Sequence, residues 1–132
     1  MQKIILIGCG HMGHALLNSM LNKKNLISIV DPKSYANLKK KIKNKKINIY
    51  KSLENISDLS TYDFIIFAVK PSELRSVFKE LTNLSIKANA IVISVIAGKK
   101  IAIFKNNIPK LKKIVRVMPN MPALIGQGIN CM

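Results

Sequence analysis

Apolar residues along this chain fall in short runs that switch between two periods. Ile4–Ile7 is a continuous apolar run, and Ala15, Leu16, Leu17, Met20 and Leu21 then recur at helical spacing. Leu26–Val30 is again β-favouring and ends at Asp31-Pro32, where a proline that cannot donate to a ladder suits a strand exit. Tyr35, Leu38 and Ile42 mark a second helical face, with Ser34 placed to cap it. Ile47–Tyr50 alternates as a short third strand, and residues 52–59 read as a short helix or loop. Phe64–Val69 is apolar without interruption, as expected of a strand covered on both faces. Leu74, Val77, Phe78 and Leu81 share a helical face, with Ser72 as the expected N-cap. Ala90–Val95 predicts a fifth strand, Ile101, Phe104 and Ile108 a short helix closed by Pro109, and Ile114–Met118 a sixth strand.

Strand and helix alternate throughout, and the crossovers are long enough for parallel pairing. The expected fold is a doubly wound, mostly parallel α/β sheet of Rossmann-like type, one dinucleotide-binding domain over residues 1–132. Between the first strand and first helix stands Gly8-Cys9-Gly10-His11-Met12-Gly13. Gly8 supplies the positive φ of a tight turn, Gly10 lets a diphosphate approach the backbone, and Gly13 lets the helix lie close to its strand. The helix then begins with free N–H groups, an anion site in waiting.

Composition narrows this reading. The chain has 132 residues, 48% of them apolar, which suits one ordinary core. No apolar run approaches the length of a membrane helix and no secretory signal is legible, so no membrane partner is expected. Cys9 and Cys131 lack metal-ligand spacing, so no metal is expected, and a reduced, cytoplasmic protein is the simplest reading. The net charge of +16 is almost all lysine, with only Arg75 and Arg116 as arginines. A dedicated reader of nucleic acid would use more arginine, and no nucleic-acid partner is expected. Lys39, Lys40, Lys41, Lys43, Lys45 and Lys46 read as a solvated helix face and its end.

Asp31 ends the second strand 18 residues after Gly13. In this fold an acid near that offset accepts from the adenosine ribose hydroxyls; otherwise it is a solvent-facing residue that caps the Pro32 turn. Asp31 favours NAD over NADP, Lys33 pulls the other way, and the cofactor stays open between NADP and NAD. The stretch from Pro119 to Gly128 holds two prolines and two glycines, a shaped loop at the carboxyl edge of the sheet.

Gly8-x-Gly10-x-Met12-Gly13, Ala68-Val69-Lys70-Pro71, Ser94-x-x-Ala97-Gly98 and Arg116-Val117-Met118-Pro119-Asn120-Met121-Pro122-Ala123-Leu124 occur in this order. Together they resemble the successive signatures of pyrroline-5-carboxylate reductases. The resemblance implies hydride transfer from NADPH or NADH to 1-pyrroline-5-carboxylate, giving L-proline in proline biosynthesis. It implies that Ile7, Gly8, Cys9, Gly10, His11 and Met12 hold the diphosphate and that Asp31 and Lys33 flank the adenosine ribose. It places Asn55 on the adenosine side, Ala68, Val69, Lys70 and Pro71 along the ribose and nicotinamide, and Ala97, Gly98 and Asn120 near the hydride. It implies no catalytic side chain in this stretch.

Two departures from the family bear on function. Met121 stands where the family usually has Thr. The family continues into an all-helical domain that forms its homo-oligomer and completes the substrate pocket, and the chain read here stops before that domain. The expectation is weak dinucleotide binding and little or no turnover by this polypeptide alone. The competing reading is a non-catalytic dinucleotide-binding or interaction module.

Overall fold

The computed structural model describes residues 1–21 and 24–118. Six strands form one sheet: β1 (Gln2–Ile7), β2 (Asn25–Val30), β3 (Ile47–Tyr50), β4 (Phe64–Phe67), β5 (Ile91–Ser94) and β6 (Lys113–Arg116). They are ordered β3-β2-β1-β4-β5-β6 and every pairing is parallel. Among the described residues four α-helices lie in the connections: α1 (His11–Met20), α2 (Tyr35–Lys41), α3 (Leu74–Leu81) and α4 (Ile101–Asn107). The chain order reverses between β1 and β4, which is the switch point where ligands bind in open α/β sheets.

The continuous apolar strands make two cores, one on each face of the sheet. Ile4, Leu6, Ile27, Ile29 and Ile66 face Leu17 of α1 and Leu38 of α2. Ile5, Ile7, Ile65 and Phe67 face Leu74, Val77, Phe78 and Leu81 of α3 and Phe104 of α4. Successive residues of one strand therefore serve opposite layers. On the second face the rings of Phe67, Phe78 and Phe104 meet pairwise, with centroids 5.1–6.0 Å apart. Ser28, the buried polar residue of β2, shares a 2.6 Å hydrogen bond with the Tyr62 hydroxyl, so neither oxygen is left unpaired in the interior.

Several expectations shift: the fifth strand is trimmed to Ile91–Ser94, and the sixth ends at Arg116 rather than Met118. The fourth strand ends at Phe67 rather than Val69. Ile7 O accepts the Ala68 N–H at 2.8 Å, and Gly8 then turns away at φ +93°, so β1 offers Val69 no ladder. Ser72 is not an N-cap: Pro71–Glu73 forms a 3-10 turn with Lys70 at its N-cap, and α3 starts directly after it. Proline at the first position suits that turn because its φ is already set. Ser34 does stand at the N-cap of α2, but its side chain makes no capping bond. Its N–H donates instead to Asp31 Oδ1 at 3.2 Å. Among the described residues no helix is long and apolar enough to cross a membrane.

Candidate functional site

The glycine turn between β1 and α1 is built from close backbone approaches. A Cβ on Gly8 would stand 2.7 Å from Ala68 O, and one on Gly13 would stand 2.5 Å from Gly8 O. Both positions therefore need glycine, the first for its conformation and contact, the second for helix-to-turn packing. Gly10 differs, since a Cβ there would meet nothing within 4 Å. The space in front of Gly10 is open, as a group that approaches the backbone requires. The first return to a helical carbonyl in α1 is His14 N–H to Gly10 O at 2.9 Å, and no side chain caps the helix. The N–H groups of His11, Met12 and Gly13 thus start a ten-residue helix without acceptors inside it. Their partial positive charge faces the open side of the turn.

Two bonds fix this turn to β2. Gly8 N–H donates to Val30 O at 2.8 Å, and Cys9 N–H donates to Asp31 Oδ2 at 2.8 Å. Asp31 Oδ1 also accepts from Lys33 N–H at 2.9 Å and from Ser34 N–H at 3.2 Å. Cys9 is buried beneath the turn, and burial first, then the Asp31 charge, push its thiol up to about 11. Its Sγ lies 3.5 Å from His14 Nδ1.

A hollow of about 460 Å³ opens at the carboxyl edge beside this turn. Ile7, Gly8, Val30 and Asp31 form its inner wall, Leu53, Val69 and Val77 its apolar sides, and Lys33, Lys51, Glu73 and Glu80 its charged rim. Glu80 Oε2 accepts from Leu53 N–H at 3.0 Å and from the Ser52 hydroxyl at 3.2 Å, pinning the short turn Leu53–Asn55 to α3. Across the rim, Lys33 Nζ donates to Glu73 Oε1 at 2.7 Å, and this bond and charge raise the Lys33 pKa. A second hollow, of about 420 Å³, lies on the other side of the turn, against Cys9, Gly10, His11 and Ser34.

The structure thus gathers most of the residues expected at the site. Ile7, Gly8, Asp31, Lys33 and Val69 line the larger hollow, while Cys9, Gly10 and His11 line the smaller. Met12 and Gly13 form the first turn of α1 between them. Ala68 supports Gly8 from behind. Lys70 and Pro71 are exposed at the 3-10 turn, outside the lining of either hollow. Asn55 also lies outside it; its Oδ1 accepts from Ser52 N–H at 3.2 Å and closes a capping box. Ala97 and Gly98 are exposed after β5, with Gly98 at φ +73°. Asn120 lies outside the described residues, as do Met121 and Cys131. Sequence reasoning missed Glu73 and Glu80, whose signal was the scarcity of acids in a chain of net charge +16. Among the described residues no group of three or more His, Cys, Asp or Glu gathers as a metal site would.

Comparison with known proteins bears on the family and the fold. The family model described as "NADP oxidoreductase coenzyme F420-dependent" matches residues 3–98. Pyrroline-5-carboxylate reductase of Pasteurella multocida is 29% identical over 134 residues, covering 98% of this chain and 48% of the relative. The Methanosarcina acetivorans enzyme of that name is 33% identical over 133 residues, covering 96% of this chain and 47% of the relative. Among solved structures, pyrroline-5-carboxylate reductase of Coxiella burnetii superposes with a TM-score of 0.78 at 24% identity, over 96% of this chain and 47% of that one. The Plasmodium falciparum pyrroline carboxylate reductase with NADP bound gives a TM-score of 0.64 at 27% identity, over 99% and 47%. The chain spans about half the length of the curated relatives it matches. It belongs to the NADP oxidoreductase coenzyme F420-dependent family, and along its length it is similar to the N-terminal half of pyrroline-5-carboxylate reductases.

Proposed function

We propose that this chain is the cofactor-binding half of a pyrroline-5-carboxylate reductase, serving hydride transfer from NADPH or NADH to 1-pyrroline-5-carboxylate in proline biosynthesis. The observation that carries the reading is the glycine turn. Gly8 and Gly13 are forced by contact, whereas Gly10 faces open space in front of an uncapped helix start. That is the arrangement a diphosphate needs, with N–H donors, a favourable dipole and no Cβ in the way.

The residues present fit a dinucleotide. The N–H groups of 10–13 would hold the diphosphate, and Asp31, with its carboxylate at the end of β2, would meet the adenosine ribose. Leu53 and Val77 would pack on the adenine, the larger hollow being apolar on that side, and Val69 would stand toward the ribose and nicotinamide as the family resemblance implies. Ala68, Lys70, Pro71, Ala97, Gly98 and Asn120 belong to the nicotinamide end by the family resemblance, and Asn55 to the adenosine side. When bound, the nicotinamide supplies the hydride, and this half of the protein supplies position and electrostatics. Hydride transfer also needs the imine held at near-attack distance. The reading assigns that task, and the homo-oligomer, to the helical portion that the relatives' greater length accommodates. It includes a reducing, cytoplasmic setting, in keeping with the buried free thiol of Cys9.

The chain has no Trp, so NADH and NADPH are best titrated through enhancement of their own fluorescence. The expected result is saturable but weak binding, with little reduction of pyrroline-5-carboxylate by this polypeptide alone and robust reduction once the helical portion is supplied. A folded chain that binds neither dinucleotide would refute the reading.

A further inference from the structure

Acidic residues are rare in this protein, six against 22 Lys and Arg. Three of those six, Asp31, Glu73 and Glu80, line the one hollow of about 460 Å³, and its lysines are Lys33 and Lys51. The hollow therefore carries a net negative charge inside a protein of net charge +16. Two of the carboxylates have structural tasks. Asp31 holds the N–H groups of Cys9, Lys33 and Ser34, and Glu80 holds Leu53 N–H and the Ser52 hydroxyl.

Glu73 is different. Among the described residues its carboxylate bonds to Lys33 alone, at 2.7 Å. The pair joins the loop after β2 to the turn after β4 across the rim of the hollow. Lys33 lies two residues past Asp31, at the place where this fold puts the cation that accommodates a ribose 2′-phosphate. Its charge is already matched by Glu73. A 2′-phosphate, which brings close to two negative charges, would have to displace one carboxylate from Lys33 while lying near a second, Asp31. A free 2′-hydroxyl meets no such opposition.

We infer that Glu73, by holding Lys33 across the hollow, makes this site prefer a dinucleotide with a free ribose 2′-hydroxyl over one with a 2′-phosphate. The inference rests on the dinucleotide reading given above and adds the residue that sets the choice. It is not inherited from the relatives, one of which was solved with NADP bound. The pair is solvent-accessible, with the Lys33 side chain 72% and that of Glu73 36% exposed, so the effect is modest.

The test is a calorimetric titration of ADP-ribose and 2′-phospho-ADP-ribose against the wild-type chain, Glu73→Gln, and Glu73→Gln with Lys33→Gln. Ionic strength is kept near 10 mM, where screening is weak. Wild type should bind ADP-ribose the tighter. Glu73→Gln should tighten the 2′-phosphate form by roughly three- to tenfold more than it tightens ADP-ribose, a gain in the ratio that fades with salt. Adding Lys33→Gln should abolish the gain. Equal or tighter binding of the 2′-phosphate form by wild type, or an unchanged ratio in Glu73→Gln, overturns the assignment of Glu73. A folded wild-type chain that binds neither ligand overturns the dinucleotide reading itself, and the assignment with it.

Discussion

The Asp31 carboxylate holds the N–H of Cys9 at 2.8 Å, so the acid that ends β2 also fixes the glycine turn that ends β1. Its other oxygen accepts from Lys33 and Ser34 and shapes the entry to α2. Asp31 is thereby a structural residue before any ribose arrives. Asp31→Asn replaces one acceptor oxygen with a donor, leaving at least one backbone N–H facing an amide nitrogen. We expect a loss of about 1–3 kcal/mol, read by urea unfolding, together with weakened dinucleotide binding. If Asp31 served the ribose alone, binding would fall and stability would not.

The three glycines of the turn should separate cleanly. Gly8→Ala places a Cβ 2.7 Å from Ala68 O at φ +93°, and Gly13→Ala places one 2.5 Å from Gly8 O. Both contacts are with backbone, which cannot swing away. We expect each to cost about 2–5 kcal/mol. Gly10→Ala meets no protein atom within 4 Å and should cost less than about 1 kcal/mol. Yet Gly10→Ala should abolish binding of NADH, because its methyl fills the space the diphosphate needs. Thermal melts and NADH titrations on the three variants decide the matter; normal NADH binding by Gly10→Ala would remove the turn from the site.

The order of elements was legible because apolar period alone carries it. The third strand stands at Ile47–Tyr50, as read, and Leu74, Val77, Phe78 and Leu81 are buried along α3. The need for glycine at 8 and 13 was legible for the same reason, since each follows from local backbone geometry. What escaped the sequence depends on distant side chains. Glu80 reaches Leu53 across 27 residues, and Glu73 reaches Lys33 across 40. No periodicity encodes either meeting. Ser72 failed as a cap because Pro71 set a 3-10 turn one step earlier. Met121 lies outside the described residues.

Phe104 is fully buried and meets the rings of both Phe67 and Phe78, at 5.1 and 5.6 Å between centroids. It joins the last helix to the centre of the sheet. Phe104→Ala leaves a cavity with rigid walls and should cost about 3–5 kcal/mol. Phe104→Leu should recover more than half of that, because most of the volume returns. Denaturant midpoints with an unchanged m-value give the comparison. A cost below about 1 kcal/mol for Phe104→Ala would show that the ring triad is not a packed unit.

Asp63 provides a test against pH. Its carboxylate accepts from Lys3 N–H at 3.0 Å and from Lys87 Nζ at 2.8 Å, at the edge of the sheet opposite the site. The Lys3 backbone bond first, then Lys87, hold its pKa below the ordinary 3.8. A carboxylate with a lowered folded pKa stabilises the fold above its unfolded pKa, and that contribution is lost as pH falls through the folded value. Asp63→Asn should therefore lower Tm at pH 6 and converge on wild type as pH drops below the ordinary carboxylate range. A gap that stays constant down to pH 2 would mean that Asp63 acts through shape rather than charge.

Cys9 should be chemically silent while the turn is intact. It is 1% exposed, and burial followed by the Asp31 charge pushes its thiol up to about 11. At pH 8 only about one thiol in a thousand would be ionised, and thiolate is the reactive form. In a Cys131→Ser background, labelling by a thiol-specific disulfide reagent should be at least about a hundredfold slower in the native chain than in urea. Asp31→Asn removes the charge and loosens the bond to Cys9 N–H, so it should accelerate labelling without exposing the core. Diphosphate-containing ligands, seated on the turn above Cys9, should slow the reaction further. Prompt stoichiometric labelling of the native wild-type turn would contradict the packing that places Cys9 beneath it, and with it the account of why Gly8 and Gly13 must be glycine.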